Sequence, residues 1–349
     1  PPAPTNLDES NMKTQIRIIG IGRSGCRLLD GMMACGLREE LDTDEFPAIA
    51  EIRYIAVETN IDTLGCSSAD VGFYVGGGFG TGSGPEVLER MAVQTGEVIE
   101  HVIHGAHLIL LLTGLDDPLE CVAAAALAEL GQAKNILTLS LVSLPPVDAR
   151  RSNPAAADLA RIEASSDALY VFPADDCALL GNACFSPKAS IPTPAGNLIN
   201  CANVLAKFVC QPHGRRVGFD FQDLRTALVG WGEACSADPE QSIQLRHHYL
   251  RWVASLHTPP AELAAAAVSG LPLGDAATVL MYVEGGPKFS MSNLRDLVIP
   301  IVAEAPKNAF IKYFVEVDPG MPDEALAIDL CVRTDHPISG PMPLSPQRD

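Results

Sequence analysis

The chain of 349 residues is 47% hydrophobic and carries a formal net charge of −19. That apolar content is enough for real cores and excludes a mainly disordered protein. The charge excludes nucleic acid and loose attachment to anionic lipid as partners, because both need basic surface. No apolar run is long enough to predict a membrane span, and residues 1–12 contain no hydrophobic signal core. The ten cysteines are scattered without metal-type spacing, as expected of reduced, buried thiols in a cytoplasmic protein.

Ile16-Arg17-Ile18-Ile19 reads as a short buried strand, followed by Gly20-Ile21-Gly22-Arg23-Ser24-Gly25 and helical character over 26–33. Strand, G-x-G-x-x-G and helix form the dinucleotide fingerprint, whose glycines allow a tight turn and close approach to a phosphate. Tyr54-Ile55-Ala56-Val57-Glu58 reads as a second strand with a closing acid that could hold a ribose. Glu58, however, lies about twice as far from the first glycine as the usual spacing of roughly 20 residues. These two segments leave NAD-type binding and a different mononucleotide fold equally open. Residues 39–51 read as an acidic, solvated insertion. Gly76-Gly77-Gly78-Phe79-Gly80-Thr81-Gly82-Ser83-Gly84-Pro85 is a second glycine-rich turn. Its backbone N–H groups can form an anion-binding nest, and Pro85 suits the first turn of a helix over 86–103.

Residues 107–112 are a continuous apolar run, typical of a central parallel strand. Asp116-Asp117-Pro118 caps a helix over 119–130 that closes at Gly131, and 136–142 and 168–172 add two buried strands. Strands alternating with helices predict a parallel sheet covered on both faces. Arg150-Arg151-Ser152-Asn153-Pro154 lies in a loop after a strand, where α/β sheets place ligand contacts. Residues 181–194 read as loop and 196–209 as one long helix. Asp223 reads as the N-cap of a helix through Val229, while Asp220 sits in the preceding loop without a structural duty. Residues 241–267 read as another helix and an alanine-rich run, broken at Pro259-Pro260. A strand over 278–283, a Gly285-Gly286-Pro287 turn and a helix over 292–305 capped by Ser292 or Asn293 come next. Strands over 310–317 and 325–333 alternate cleanly, which predicts a sheet with one buried face in a separate α+β domain. Residues 335–349 read as a disordered, Pro-rich tail.

The order of these parts resembles the tubulin/FtsZ superfamily, the FtsZ branch most closely, over about residues 15–333. Residues 20–25 are similar to the first nucleotide loop, 56–60 to the second, and 78–87 to the third, which contacts the terminal phosphate. Gly218-Phe219-Asp220-Phe221-Gln222-Asp223-Leu224-Arg225-Thr226 resembles the synergy loop, which reaches the nucleotide of the next subunit. The resemblance implies an α/β fold: a Rossmann-like GTPase domain with a parallel sheet over 14–194, after a disordered arm over 1–13. A central long helix and synergy loop over 195–235 and a smaller α+β C-terminal domain over 236–334 would follow, then the tail. It implies cofactor-binding roles for Gly20, Gly22, Ser24, Gly25, Gly78, Gly80, Thr81, Gly82, Ser83 and Asn200. Catalytic roles fall to Asp220 and Asp223, and the cofactor would be GTP or GDP, with Mg2+ only if GTP binds. The implied partner is a second copy, head to tail in a homopolymer. Other FtsZ-like or membrane-remodelling proteins are further partners, with no nucleic acid and no direct membrane insertion.

The departures are specific. Where the family carries Gly-Gly-Gly-Thr-Gly-Thr-Gly, this chain has the shorter Thr113-Gly114-Leu115-Asp116-Asp117-Pro118-Leu119-Glu120, with three carboxylates. Carboxylates beside phosphate repel it. Residues 76–82 copy that signature one loop early. Arg27 and Ala174 replace asparagines usual in the family, and the synergy loop has Gly218 in place of its asparagine. The expectation is a filament-forming, FtsZ-like cytoskeletal protein of division or membrane remodelling, with GTP binding weakened or lost and hydrolysis in question. Two alternatives stand beside it: an active polymerisation-dependent GTPase using residues 76–84 for phosphate, and a non-polymerising regulator of a true FtsZ.

Overall fold

The computed structural model describes residues 13–38, 50–75, 100, 103–115, 118–144, 154–172, 194–210, 221–229 and 245–338. Several expectations lie outside them: most of the acidic insertion, the glycine turn at 76–85 and its helix through 99, Asp116-Asp117, Arg150 to Asn153, Ala174, Gly218 and Asp220.

Strands β1 (Thr14–Ile21), β2 (Ala50–Glu58), β3 (Val71–Tyr74), β4 (Leu108–Gly114), β5 (Leu137–Ser143) and β6 (Ala168–Phe172) form one sheet. Its order is β3-β2-β1-β4-β5-β6, and every neighbouring pair runs parallel. Parallel strands need crossover helices on both faces, so the central ones are covered on both sides; β4 and β5 are buried at every position, including Thr113, Thr138, Ser140 and Ser143. Helices α1 (Gly22–Ala34), α2 (Ile61–Cys66), α3 (Pro118–Ala133), α4 (Pro154–Ser165) and α5 (Pro194–Cys210) accompany the sheet. Alternation along β1 divides the core: Ile16 and Ile18 pack with Leu28, Met32, Leu198 and Leu205 of α1 and α5. Ile19 and Ile21 pack with Ala124, Leu127, Leu159 and Ile162 of α3 and α4. The strand order reverses between β1 and β4, and such a switch point is where open α/β sheets bind ligands.

After α6 (Phe221–Val229), a second sheet is built from β7 (Leu245–Ser255), β8 (Ala276–Gly285), β9 (Phe310–Val317) and β10 (Ala325–Ile338), with α7 (Pro260–Gly270) and α8 (Met291–Glu304). Its order is β7-β10-β8-β9, antiparallel at β10 and parallel between β8 and β9. This half corrects several expectations. The helix expected ahead of Pro259-Pro260 is, over its described residues, strand β7, paired with β10 from Ser255 opposite Ala325 to His247 opposite Arg333. Helix begins only at Pro260, which takes a first-turn position. The sheet has two buried faces rather than one. Leu326, Ile328 and Leu330 meet α7 and α8, while Tyr282, Phe314 and Cys331 on the reverse face join the core around α5. On β9 the residues that fill that reverse face include Phe314, and Tyr313 and Val317 are exposed.

Smaller corrections follow from hydrogen bonding. Ser290, not Ser292 or Asn293, caps α8, in a reciprocal box with Asn293. Gly131 lies inside α3 and gives room to Thr138, whose Oγ1 would be 2.2 Å from a Cβ there. Asp223 sits in the first turn of α6 rather than at its N-cap. Strand β10 runs to Ile338, into the segment expected to be a disordered tail.

Helix α5 is fastened to the second sheet by buried charges. Lys207 Nζ lies 3.8 Å from Glu284 and 3.7 Å from Glu316, and Tyr282 OH donates to Glu316. Arg251 pairs with the fully buried Asp329 at 2.7 Å and reaches Glu284 at 3.8 Å. Tyr249 OH donates to the same Asp329. Burial raises the Glu284 carboxyl above the usual range, against the pull of Lys207 and Arg251. For Arg251 burial works downward, but Asp329, Tyr249 and Glu284 outweigh it and raise the guanidinium.

Candidate functional site

Strand β1 passes directly into α1 at the switch point. Gly22 has φ +70, a left-handed conformation that suits glycine, and its neighbours close the turn by contact. A Cβ on Gly20 would lie 2.5 Å from the Gly25 carbonyl oxygen, and one on Gly25 would lie 2.2 Å from the Leu112 carbonyl oxygen. The glycines therefore let the first turn of α1 press onto the ends of β1 and β4. Helix N-termini leave N–H groups without partners, and Ile21 at the N-cap provides no side-chain acceptor. The acceptor comes from α3. Glu120, in the first turn of that helix, takes the Arg23 N–H on Oε1 at 2.9 Å. Its carboxyl carbon would be 1.9 Å from a Cβ on Gly22, so the group lies against the glycine. Only 7% of Glu120 is exposed. One carboxylate thus occupies the space to which the positive ends of both helix dipoles point.

The second loop repeats the pattern. Glu58, closing β2 and buried, accepts from Thr59 N at 2.8 Å and Asn60 N at 3.1 Å through Oε1. Asn60 in turn caps α2, accepting from Asp62 N and Thr63 N. Glu58 Oε2 is buried and has no hydrogen-bond partner among the described residues. Between the two loops, the Cys26 thiol lies 3.7 Å from the Gly20 carbonyl oxygen and 3.9 Å from that of Val57. Burial, then the charges of Glu58, Asp30 and Glu120, push this thiol up to about 12, so it is an inert packing group.

Helix α6 is anchored at the opposite end of the sheet. Arg225 donates to the Asn135 carbonyl at 3.2 Å and to Asn135 Oδ1 at 2.5 Å, and Asn135 sits just before β5. The Phe221 ring packs edge-on against His107, with centroids 6.4 Å apart, and His107 Nδ1 accepts the Gln15 N–H at 2.9 Å. His107 and Gln15 mark the starts of β4 and β1, whereas Gly20 to Gly25 mark their far ends. A parallel strand of this kind spans roughly 20 Å, so Asp223 and the glycine turn belong to opposite ends of one molecule. Asn200 lies half-buried in the first half of α5, a helix that packs on α1.

No family model matches the chain. The cell division protein FtsZ of Pseudomonas putida is 24% identical over 347 residues, which is 95% of this chain and 80% of that relative. An FtsZ dimer structure from M. jannaschii matches with a TM-score of 0.69 at 18% identity, covering 92% of this chain and 88% of that one. CetZ1 from Haloferax volcanii, a GDP-bound monomer, matches with a TM-score of 0.59 at 16% identity, covering 91% and 94%. In sequence and in fold the chain is similar to the tubulin/FtsZ superfamily.

The FtsZ-like fold expected from the sequence is the one observed. Within it, Gly20, Gly22, Ser24 and Gly25 come together in one turn, Asn200 lies on a neighbouring helix, and Asp223 is held away from both. Gly78, Gly80, Thr81, Gly82, Ser83 and Asp220 lie outside the described residues. The ribose-holding role considered for Glu58 meets a carboxylate whose Oε1 is engaged by its own loop. A phosphate bound by the backbone at the head of α1 would need the place that Glu120 takes. As they stand, these residues do not fit a polyphosphate. Among the described residues, no cluster of His, Cys, Asp and Glu could hold a metal ion, and no helix is long and apolar enough to cross a membrane. Sequence reading counted Glu120 among three acids of a departed loop but gave it no partner. Its one local signal was a carboxylate three positions into a helix that follows a central strand.

Proposed function

We propose that this FtsZ-like cytoskeletal protein assembles head to tail into filaments, with its guanine-nucleotide site weakened. One observation carries the reading: the glycine turn and Asp223 sit at opposite ends of the same sheet. A site using both needs two copies, the upper end of one against the lower end of the next. Such a contact is heterologous and does not close, so it propagates as a filament. On this reading the nucleotide contacts are assigned to Gly20, Gly22, Ser24, Gly25, Gly78, Gly80, Thr81, Gly82, Ser83 and Asn200, and the contacts from the next copy to Asp220 and Asp223. GTP or GDP is the ligand class, and Mg2+ would accompany only GTP. The M. jannaschii FtsZ dimer and GDP-bound CetZ1 support the two halves of this reading by analogy. We propose a role in cell division, the function in the name of the Pseudomonas putida relative, or in membrane remodelling, in the cytoplasm.

The test is sedimentation with negative-stain microscopy of the full chain, with and without GTP. Filaments from the wild type and their loss in Asp223→Arg are expected. Wild-type protein that stays monomeric at high concentration, or Asp223→Arg filaments equal to wild type, would overturn the reading. A monomer that instead shortens the filaments of a true FtsZ would replace it with the regulator alternative.

A further inference from the structure

We propose that Glu120 is a built-in occupant of the phosphate cradle, so that the nucleotide site is preserved in shape but shut by the chain's own carboxylate. This rests on the reading of the glycine turn as the nucleotide side of an FtsZ-like protein.

A cradle that had been lost would be expected to show a rebuilt turn. Here the turn keeps its features: Gly22 holds φ +70, and Gly20 and Gly25 still allow α1 to abut β1 and β4. What differs is the occupant. Anion sites of this kind supply backbone N–H groups and a helix dipole to an oxygen of a bound ligand. Glu120 Oε1 receives that N–H from Arg23 at 2.9 Å. The carboxyl group rests on the Gly22 backbone, in the space that a Cβ would fill. It also lies in the first turn of α3, so its own helix adds a second favourable dipole.

The neighbouring loop provides an independent observation of the same kind. Glu58 Oε1 takes the N–H groups of Thr59 and Asn60, and its buried Oε2 lacks a partner among the described residues. Both carboxylates act electrostatically on the one Cys26 thiol, so both lie near the head of α1. A polyphosphate entering here must displace one anion and sit beside another, and like charges at close range in a poorly solvated site exclude each other. Arg23 and Arg27 are exposed on the same end of α1 and would favour phosphate once the carboxylate is gone. Glu120 is therefore the residue that sets the specificity of the cradle against polyphosphate.

The experiment titrates the full-length chain with fluorescent GTP, comparing the wild type with Glu120→Ala and Glu120→Gln. Nucleotide released on denaturing each purified protein is measured alongside. Glu120→Ala is expected to bind at least tenfold more tightly than wild type. Glu120→Gln, which keeps the shape and removes the charge, should fall between them and carries the test if the alanine variant fails to fold. Competition by inorganic tripolyphosphate in the tighter variant would assign the gain to the phosphates. The proposal is overturned by folded variants that bind no better than wild type, by a gain that tripolyphosphate does not compete, or by wild type purified with stoichiometric guanine nucleotide. Sedimentation of the same variants without nucleotide separates the two ideas. Loss of filaments throughout would sink the assembly reading, while the change in affinity would still support the shut cradle.

Discussion

The charge cluster between α5 and the second sheet makes a sharp stability test, with Arg251→Met as the perturbation. Arg251 pairs with Asp329 at 2.7 Å, with the two side chains 11% and 0% exposed. Removing one member of a buried pair leaves the other charged and desolvated, at a cost of about 3–5 kcal/mol. Tyr249 continues to donate to Asp329, which moves the expectation to the lower half of that range. Glu284 loses one of its cations at the same time and keeps Lys207. A loss of about 3–4 kcal/mol is therefore expected, a large part of the 5–15 kcal/mol typical of a folded domain. Urea denaturation followed by far-UV circular dichroism should show a midpoint lower by about 1 M or more, given slopes of roughly 1–3 kcal/mol per molar. The double variant Arg251→Met/Asp329→Asn removes the stranded charge while keeping an acceptor for Tyr249, and should recover most of the loss. A single variant within about 1 kcal/mol of wild type, or a double variant worse than the single, would refute the electrostatic account.

Three further expectations follow from the same contacts. Burial lowers the His247 imidazole to about 4, and its ring contacts the Leu228 carbonyl at 2.9 Å. The unfolded ring titrates near 6.5, so its contribution is complete above that pH and is lost as pH falls from 6.5 to 4, a span worth roughly 3 kcal/mol. In His247→Gln the stability slope across that window should flatten, and a slope equal to wild type would reject the buried neutral ring. Gly22→Ala would place a methyl against the Glu120 carboxyl in a left-handed backbone, costing about 2 kcal/mol or more; a thermal midpoint equal to wild type would contradict this packing. Arg225→Ala should loosen α6 by about 1–2 kcal/mol and impair pelleting while leaving nucleotide affinity unchanged, and pelleting equal to wild type would show that the Asn135 contact does not set the lower surface.

Much of the first half was legible because its signals are redundant. The apolar run of β4, the strand–glycine–helix join at Gly20 to Gly25 and the long helix α5 each point to the same α/β architecture. The β7 segment failed for a physical reason. Leu245, Tyr249, Trp252 and Val253 fall near helical spacing, yet the segment lies against β10, and the cross-strand hydrogen bonds decide the outcome. Glu316 and Asp329 fall on the face that the alternating pattern leaves to solvent, and Glu284 lies just past its predicted strand. They are instead one side of a buried charge cluster, because Lys207 and Arg251 arrive from other elements. Glu120 was illegible for the same reason: its partner is an N–H group almost a hundred positions away, and no local pattern records such a contact.

The two ends of the first sheet are chemically independent, and this bears on how such a chain can change. At the lower end α6 is fixed by Arg225 on Asn135 and by Phe221 on His107. At the upper end the head of α1 is fixed by Glu120. Among the described residues, none of these contacts is shared between the two sets, and a strand length of roughly 20 Å separates them. Sites this far apart with no common partner respond additively to substitution. A carboxylate in the cradle can therefore replace the stabilising contribution of a bound phosphate at α1 without altering the surface that α6 presents. Under the proposed reading, nucleotide affinity and end-to-end contact would be separable properties. A chain whose own side chain caps α1 folds around that turn without a ligand, and its assembly would then answer to concentration and partners.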